Sequence, residues 1–371
     1  MAGENLTSAF ISSSNLEHNY HLTRSRIPGH CRVMGVVKAN AYGHDVAGTS
    51  KILERLGVRD FGVANIAEAA SLRKQLTVSG HSEILAFSSP LPDHIARYLE
   101  HDIAATICDF NMLRAAESIA SAHNVPLKVH VKIDTGMGRL GTTPENAFQL
   151  LEAAEKSPHL RLSGIYTHFA QSTSRDAFTG RQRDLFTQIC SEFEHRMQRT
   201  FCKHAANSGG ILCHDNAFFD MVRPGIMLYG YFPDDSVKGR ADLKPVMLLS
   251  TKVMFIKEVE AGTTISYNRT WTAPSRRRIA TLSAGYADGY PRTLSNRTTV
   301  SIRGKTFPQV GTITMDQFMV DLGNDRDVRV GDDALLFGGE GISAADLALT
   351  AGTISYELLC AVSSRVRRVF V

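Results

Sequence analysis

Short apolar runs alternate with amphipathic stretches of helical length from residue 32 to about residue 230. The first run, Arg32–Val37 (RVMGVV), is continuously apolar after its first residue, which is typical of a strand covered on both faces of a parallel sheet. Eight candidate strands occur, and they span Arg32–Lys38, Asp60–Asn65, Glu83–Ser89, Ala104–Asp109, Leu127–Asp134, Leu160–Phe169, Cys202–Gly209 and Met221–Tyr229.

Amphipathic segments separate these runs. In Val46–Gly57, for example, Ile52, Leu53 and Leu56 begin the spacing that places apolar residues on one face of a helix. Eight alternating strand and helix units in about 200 residues specify a closed parallel barrel more economically than an open, doubly wound sheet. The pattern therefore predicts an α/β fold with an N-terminal (β/α)8 barrel of the TIM type.

The pattern changes near residues 234–244, which are polar, charged and contain glycine. Such a composition is typical of a linker. Beyond it, helical periodicity largely disappears, and strand-sized apolar pieces are separated by turn residues. We therefore predict a barrel domain over residues 1–238 and a mostly β C-terminal domain over residues 239–371.

Composition excludes several classes of protein. The formal net charge is only +4, and the basic clusters at Ser275–Ile279 and Arg365–Val369 lack interleaved aromatic residues, so nucleic-acid binding is not expected. No apolar run approaches the roughly 18 residues that cross a bilayer. The N-terminal segment has no basic stretch followed by an apolar block, which predicts a cytoplasmic protein. The six cysteines are scattered without a C-x-x-C pair, which favours reduced thiols over a metal site or disulfides.

Polar residues occur at the ends of several barrel strands. Chemistry in such barrels lies at the carboxyl ends of the strands, so these side chains are expected to converge. Taken alone, His168 would be a hydrogen-bonded core residue, and Asn207 with Ser208 would be a helix cap. Packing does not easily explain the whole set, which consists of Lys38, Lys132, Asp134, His168, Asn207, Ser208, Arg223 and Gly225.

Lys38 suggests the chemistry. A lysine in a partly apolar barrel mouth loses stabilisation of its charge, so its amine can form a Schiff base with an aldehyde. Pyridoxal phosphate is the obvious aldehyde, and its phosphate needs backbone N–H groups and hydroxyls. Ser208, Gly225 and the phenol of Tyr42 are suitable residue types for that purpose.

The chain resembles the alanine racemase family over essentially its whole length. The matching segments, in the order and at spacings compatible with the family, are VVKANAYGHD, VKIDTGMGRLG, THFAQS, HAANSGG, VRPGIMLYG, ISYNRTW, AGYADGYPR, GTITMDQ and ISYEL. The resemblance implies an N-terminal barrel, a C-terminal β domain, bound pyridoxal phosphate and a homodimer with shared active sites. It also implies interconversion of L-alanine and D-alanine, which supplies D-alanine for peptidoglycan.

The resemblance also implies a role for each matching residue. Lys38 would carry the cofactor and act as one base, and Tyr267, supplied by the partner subunit, would be the other. Arg223 would face the pyridine nitrogen and His168 would lie beside Arg223 and the catalytic tyrosine. Asn207 is a further cofactor-binding candidate. The residues facing the phosphate would be Tyr42, Ser208, Gly225, Ile226 and Tyr356.

The substrate side can be assigned in the same way. Arg139 and Met315 match the residues near the substrate carboxylate, and Lys132 matches a lysine that is often carbamylated in the family. Lys132 could instead pair with Asp134 as an ordinary amine. Tyr356 and Met315 would crowd the position of the substrate side chain, which suits a methyl group.

The assigned bases agree with the chemistry of racemisation, which removes a proton from one face of a planar carbanion and returns one to the other face. Arginine keeps its proton, so Arg223 would leave the pyridine nitrogen unprotonated and make the ring a weaker electron sink. Three alternatives remain: a serine or broad-specificity racemase, a basic-amino-acid decarboxylase, and a non-catalytic pyridoxal-phosphate-binding protein. The Tyr267 motif ISY disfavours the last two.

Overall fold

The computed structural model describes residues 6–77, 82–174, 176–339 and 341–371. The chain forms two compact units. The first consists of Glu17–Ala41 and Val46–Leu243, and the second combines Tyr42–Asp45 and Lys244–Val371 with the N-terminal segment up to Leu16. Strand β1, Ser8–Ile11, lies in the second unit.

The first unit contains a closed barrel of parallel strands, as the sequence predicts. The barrel closes where Arg32 pairs with Met221 and Val33 with Val222. Its strands are shorter than the predicted runs, so Lys38 and His168 follow strand ends instead of lying inside strands. The strands are β2 Arg32–Val36, β3 Asp60–Val63, β4 Glu83–Ala86, β5 Ala104–Ile107, β6 Leu127–Lys132, β7 Leu160–Tyr166, β8 Lys203–Asn207 and β9 Met221–Arg223.

Helices connect these strands, and side-chain caps fix where several of them begin. Asn65, Asp109 and Asp176 each accept hydrogen bonds from backbone N–H groups in the first helical turn. The helices of residues 13–213 are Ser13–Ser25, Val46–Arg55, Ile66–Arg73, Ile95–Glu100, Phe110–His123, Pro144–Lys156, Ala177–Met197 and Ser208–Cys213.

The barrel interior combines apolar and polar side chains. One buried cluster contains Met34, Leu85, Ala104, Tyr166 and Met221. His130 and His204 are also fully buried, and both lie on barrel strands. Buried polar groups need hydrogen-bond partners, so these two histidines require an explanation that packing does not give.

The second unit is built on a largely antiparallel sheet of eight strands, in the order β13-β16-β15-β14-β17-β10-β1-β18. Two short helices, Ala344–Ala351 and Ser355–Ala361, accompany it. The strands are β10 Met247–Val259, β11 Thr264–Ile265, β12 Trp271–Thr272, β13 Arg277–Leu282, β14 Thr299–Ile302, β15 Lys305–Val310, β16 Phe318–Gly323, β17 Asp333–Phe337 and β18 Arg367–Phe370, of which β11 and β12 form a separate pair.

The pairing of β1 corrects one predicted boundary. Residues 1–238 were expected to form the barrel domain, but β1 pairs antiparallel with β10 and parallel with β18. Its backbone hydrogen bonds are therefore made within the C-terminal sheet. The expected linker contains the point at which the units divide, between Leu243 and Lys244.

Candidate active site

A left-handed turn directly follows Lys38. Ala39, Asn40 and Ala41 have φ values of 52°, 53° and 56°, and Tyr42 has a φ of 52°. For residues other than glycine, this conformation costs roughly 1–2 kcal/mol per residue. Strain of this kind persists only where the surroundings enforce it, and it is concentrated at functional sites.

Glu68 is one of the residues that hold this turn. Its carboxylate accepts a hydrogen bond from the Ala39 N–H at 3.0 Å and another from the Ala64 N–H at 2.8 Å. Within the turn, the Ala41 N–H donates to the carbonyl oxygen of Val37 at 2.8 Å. Glu68 therefore joins the end of β3 to the backbone that follows Lys38. The sequence signal that could have identified Glu68 is an Asn-x-x-Glu capping box. In such a box the glutamate normally accepts a hydrogen bond from the backbone N–H of the cap residue.

We expect Glu68→Ala to weaken the affinity of the apoprotein for pyridoxal phosphate roughly tenfold, the equivalent of one lost charge-assisted hydrogen bond. The reason is that the turn carrying Lys38 can relax towards less strained conformations. Titration of the apoprotein with the cofactor, followed by absorbance, measures this affinity.

Asp176→Ala is the matched control for Glu68→Ala. Its carboxylate also accepts two backbone N–H groups, from Phe178 at 3.0 Å and Thr179 at 3.2 Å. Both variants should lose about 1 kcal/mol of stability. Equal cofactor affinity in the two variants would show that Glu68 contributes to stability and not to the cofactor site.

Four cationic side chains act on His168 through their charge. Burial lowers the pKa of His168 well below its usual range, and the charges of Arg223, Lys132, Arg139 and Lys38 lower it further. His168 is therefore neutral at physiological pH. The structure brings these five predicted site residues together, and their combined positive charge suits an anionic ligand.

Arg223 is buried and held by four hydrogen bonds. Its guanidinium donates to Nδ1 of His204 at 2.7 Å and to Nδ1 of His168 at 3.3 Å. It also donates to the carbonyl oxygens of Thr167 at 2.8 Å and Ala205 at 2.9 Å. Burial lowers the pKa of Arg223 to about 10, so the group stays charged at neutral pH. Because His168 accepts at Nδ1, its proton is on Nε2.

Lys132 lies deep in the same cluster. Burial lowers the pKa of its ammonium to about 8, and the charges of Arg139 and Arg223 act in the same direction. The neighbouring carboxylate of Asp134 accepts N–H groups from Gly136, Met137 and Gly138, at 2.9, 2.8 and 3.1 Å. Asp134 is therefore engaged in fixing the loop that follows β6.

Ser208 and Gly225 meet at the ends of β8 and β9. The Ser208 hydroxyl oxygen accepts N–H groups from Gly225 at 3.0 Å and Met227 at 3.3 Å, so its proton can be donated to another acceptor. Asn207 caps the helix that begins at Ser208 by accepting the Gly210 N–H at 3.0 Å. Ile226 begins a 3-10 turn, Ile226–Tyr229. Donors of these types are suited to phosphate oxygens.

The remaining candidates lie in the second unit. Tyr42 and Tyr356 are neighbours, with ring centroids 5.9 Å apart, and burial raises the pKa of Tyr42. Tyr267 and Met315 are exposed to 70% and 52% of their surface. Tyr267 also lies in strained backbone, because Ser266, Asn268 and Arg269 all have positive φ values. Exposure and strain together are unusual for a tyrosine with only a packing role.

Comparisons with known proteins place this geometry in a family. Residues 11–233 match the alanine racemase N-terminal domain, and residues 246–370 match the alanine racemase C-terminal domain. The chain belongs to the alanine racemase family. It is 56% identical over 369 residues to an alanine racemase of Chlorobaculum tepidum, with 100% of this chain and 96% of that protein covered.

Solved alanine racemase structures resemble the whole chain. The enzyme of Clostridium difficile 630 is 34% identical, with a TM-score of 0.93 and coverage of 99% of this chain and 96% of that one. Alanine racemase from Bacillus anthracis with bound L-Ala-P is 33% identical, with a TM-score of 0.91 and coverage of 99% and 95%. These relatives are racemases, which separates the chain from the decarboxylase and from the non-catalytic alternative.

Membership in the alanine racemase family confirms the expected enzyme class, an isomerase that depends on pyridoxal phosphate. The barrel residues fit this anionic cofactor, since four cations act on His168 through their charge and the Ser208 hydroxyl keeps a proton to donate. Within the described ranges, no helix is long and apolar enough to cross a membrane. The same residues contain no group of three or more His, Cys, Asp or Glu side chains suited to a metal ion.

Proposed function

We propose that this chain interconverts L-alanine and D-alanine with Lys38 and Tyr267 as the two bases, and so supplies D-alanine for peptidoglycan. When bound, pyridoxal phosphate supplies the electron sink that makes the substrate Cα proton acidic. The observation that carries the proposal is the cluster of Lys38, Lys132, Arg139 and Arg223 around a neutral His168 at the barrel mouth.

Each barrel residue has a separate task in this proposal. Lys38 holds the cofactor covalently and exchanges a proton with Cα from one face. Arg223 would donate a hydrogen bond to the pyridine nitrogen and would leave that nitrogen unprotonated, because arginine keeps its own proton. A ring nitrogen without a proton would make the cofactor a weaker electron sink, which would favour racemisation over transamination. Arg139, with Met315, lies on the side of the substrate carboxylate.

Ser208, Gly225 and Ile226 would hold the phosphate, and the family resemblance assigns Tyr42 and Tyr356 to the same role. The support is the pair of N–H groups gathered on the Ser208 hydroxyl, from Gly225 and Met227. Asn207 contributes indirectly, since its cap fixes the start of the helix that carries Ser208.

The second base, Tyr267, comes from the partner subunit of a homodimer. Tyr267 of each chain is 70% exposed, as is needed for a residue that works in another chain's site. A phenol has an ordinary pKa near 10, so it acts as a base at neutral pH only beside positive charge. The partner's barrel supplies that charge through Arg223, and the neutral His168 lies beside it, hydrogen bonded to Arg223.

The test of this function is a substrate comparison. Purified, cofactor-loaded protein is incubated with L-alanine and, separately, with L-serine, and the products are resolved by chiral chromatography. We expect kcat/KM for alanine to exceed that for serine by roughly tenfold or more, because Tyr356 and Met315 leave room for a methyl group. If serine is racemised as well as or better than alanine, the chain is a serine or broad-specificity racemase. If neither amino acid is racemised, the proposal is refuted.

We propose that Lys132 is carbamylated and that the new negative charge orients Arg139. Only a neutral amine attacks CO2, and burial with Arg139 and Arg223 nearby lowers the pKa of Lys132 to about 8. The carbamate would also relieve the repulsion among these cations.

The carbamate should be visible by 13C NMR after incubation with labelled bicarbonate. Its signal should grow as the pH rises from 7 to 9, because the neutral fraction of Lys132 increases through the pKa of about 8. Lys132→Arg keeps the positive charge and cannot be carbamylated, so it is the matched control. A signal that survives in this variant would assign the carbamate to another lysine.

The chain is further proposed to act in the cytoplasm. The support is that Cys31, Cys108, Cys190 and Cys202 are free thiols, as is usual in a reducing compartment.

A further inference from the structure

A chain of hydrogen bonds crosses the interior of the barrel and ends at Arg223. The Arg223 guanidinium lies 2.7 Å from Nδ1 of His204. Nε2 of His204 lies 3.0 Å from Nδ1 of His130, and Nε2 of His130 lies 2.8 Å from the carboxylate of Glu83. Glu83 is the first residue of β4, whereas Arg223 is the last residue of β9. In a parallel barrel these positions are at opposite ends, so the chain connects the barrel base with the proposed active site.

The protons in this chain can have only one arrangement that satisfies every bond. Arginine cannot accept a hydrogen bond, so Nδ1 of His204 must accept and its proton must be on Nε2. That proton points at Nδ1 of His130, which must accept in turn and carry its own proton on Nε2. The last proton is accepted by Glu83, whose ionised carboxylate has no proton to donate.

Glu83 therefore fixes the direction of the hydrogen bonds at the barrel base, as Arg223 does at the other end of the chain. Burial raises its pKa, but the His130 hydrogen bond and the charges of His130, Arg32 and Lys128 outweigh burial, and the pKa is lowered. The carboxylate is ionised at neutral pH. For His204, burial and the charge of Arg223 lower the pKa well below its usual range, so its ring is neutral.

The His204 ring in the middle of the chain cannot turn away. Tyr166 stacks on His204 with a centroid distance of 4.8 Å and an angle of 5° between the planes. The Tyr166 hydroxyl is fixed in turn by a 2.9 Å hydrogen bond with Thr106. With its ring held by this stacking, the only freedom left to His204 is which nitrogen carries the proton.

We propose that Glu83 is a positioning residue for the proposed racemisation, acting through His130 and His204 to keep the Arg223 guanidinium aligned at the active site. Without the carboxylate, only Arg223 opposes a shift of the His130 proton to Nδ1, and such a shift requires His204 to move its own proton from Nε2 to Nδ1. That proton would face the Arg223 N–H, and two donors facing each other would displace the guanidinium. The proposal rests on the function proposed above for Arg223.

The experiment compares the holoenzyme with three variants. Glu83→Ala removes the acceptor, whereas Glu83→Gln keeps a neutral acceptor oxygen for His130. Asp60→Asn is the control, because Asp60 starts the neighbouring strand β3, lies 3.4 Å from Arg32 and acts on Glu83 and His130 through its charge but not through a hydrogen bond. Ring nitrogen shifts of 15N-labelled histidine show which nitrogen of His130 and His204 is protonated.

In the wild type and in Asp60→Asn, we expect both histidines to carry their proton on Nε2. In Glu83→Ala, we expect both histidines to carry their proton on Nδ1. The kcat should be roughly tenfold lower with little change in KM, and more pyruvate should form per racemisation event, as expected if Arg223 no longer controls the ring nitrogen. Glu83→Gln should restore the Nε2 protons and most of kcat. A structural role alone would lower stability without changing the proton positions or the pyruvate yield.

Several results would overturn the proposal. A proton on Nδ1 of His204 in the wild type would do so without any variant, even if Glu83→Ala fails to fold. Wild-type proton positions in a folded Glu83→Ala, or an equal loss of kcat in Asp60→Asn, would also do so. Absence of racemisation in the wild type would instead refute the proposed function, and the histidine protons could still be read.

Discussion

Replacing Lys38 with alanine is expected to abolish covalent binding of pyridoxal phosphate and to lower racemisation by roughly a thousandfold or more. The change removes the amine that holds the cofactor and one of the two proton carriers, and a positioned acid or base alone contributes about 10²–10⁴ in rate. Borohydride reduction followed by peptide mapping identifies the lysine that carries the cofactor. This readout does not depend on activity.

Lys128→Ala is a suitable control for that variant. Lys128 lies on barrel strand β6, and its ammonium forms an ion pair with Asp102 at 2.7 Å. The variant tests whether losing any barrel lysine disturbs the protein, and it should retain the reduced cofactor on Lys38. Finding the cofactor on a lysine other than Lys38 in the wild type would disprove the assignment.

The barrel could be predicted because its signals are local. Strands covered on both faces are short apolar runs, and each is followed by an amphipathic helix before the next run. The family resemblance then supplied roles for Lys38, His168 and Arg223, and the structure brings these residues together. When two strands that are far apart in sequence pair with each other, no local sequence signal indicates the pairing. Strand β1 pairs with β10 and β18, and its own four residues carry no indication of either partner.

The supporting residues were missed for a different reason. Ala39 and Ala41 do not favour the left-handed region as glycine does, although Asn40 enters it more readily, so the conformation depends on a carboxylate from another helix, that of Glu68. His130 lies inside an apolar run, and a polar residue in a buried strand was the available signal for the internal chain. Its partners Glu83 and His204 could be recognised only in the structure, because closure of the barrel brings these distant residues together.

Mixing two inactive variants should restore part of the activity if the active sites are shared. Lys38→Ala lacks one base, and Tyr267→Phe keeps the ring but lacks the phenol that we assign to the other. When the two are unfolded and refolded together in equal amounts, half of the dimers are mixed under random pairing. In each mixed dimer one site has both bases, so roughly a quarter of the wild-type activity should return. If both bases came from one chain, nothing would return.

A second mixture makes the opposite comparison and guards against incomplete exchange of subunits. One chain carries both Lys38→Ala and Tyr267→Phe, and it is refolded with an equal amount of wild type. With shared sites, every site of a mixed dimer lacks a base, so only wild-type dimers work and roughly a quarter of the activity remains. With separate sites, each wild-type chain keeps its own pair of bases and roughly half remains. Native mass spectrometry verifies that mixed dimers have formed. If activity returns in the first mixture and roughly a quarter of it remains in the second, Lys38 and Tyr267 must act across the subunit interface. If no activity returns in the first mixture and roughly half remains in the second, both bases belong to one chain.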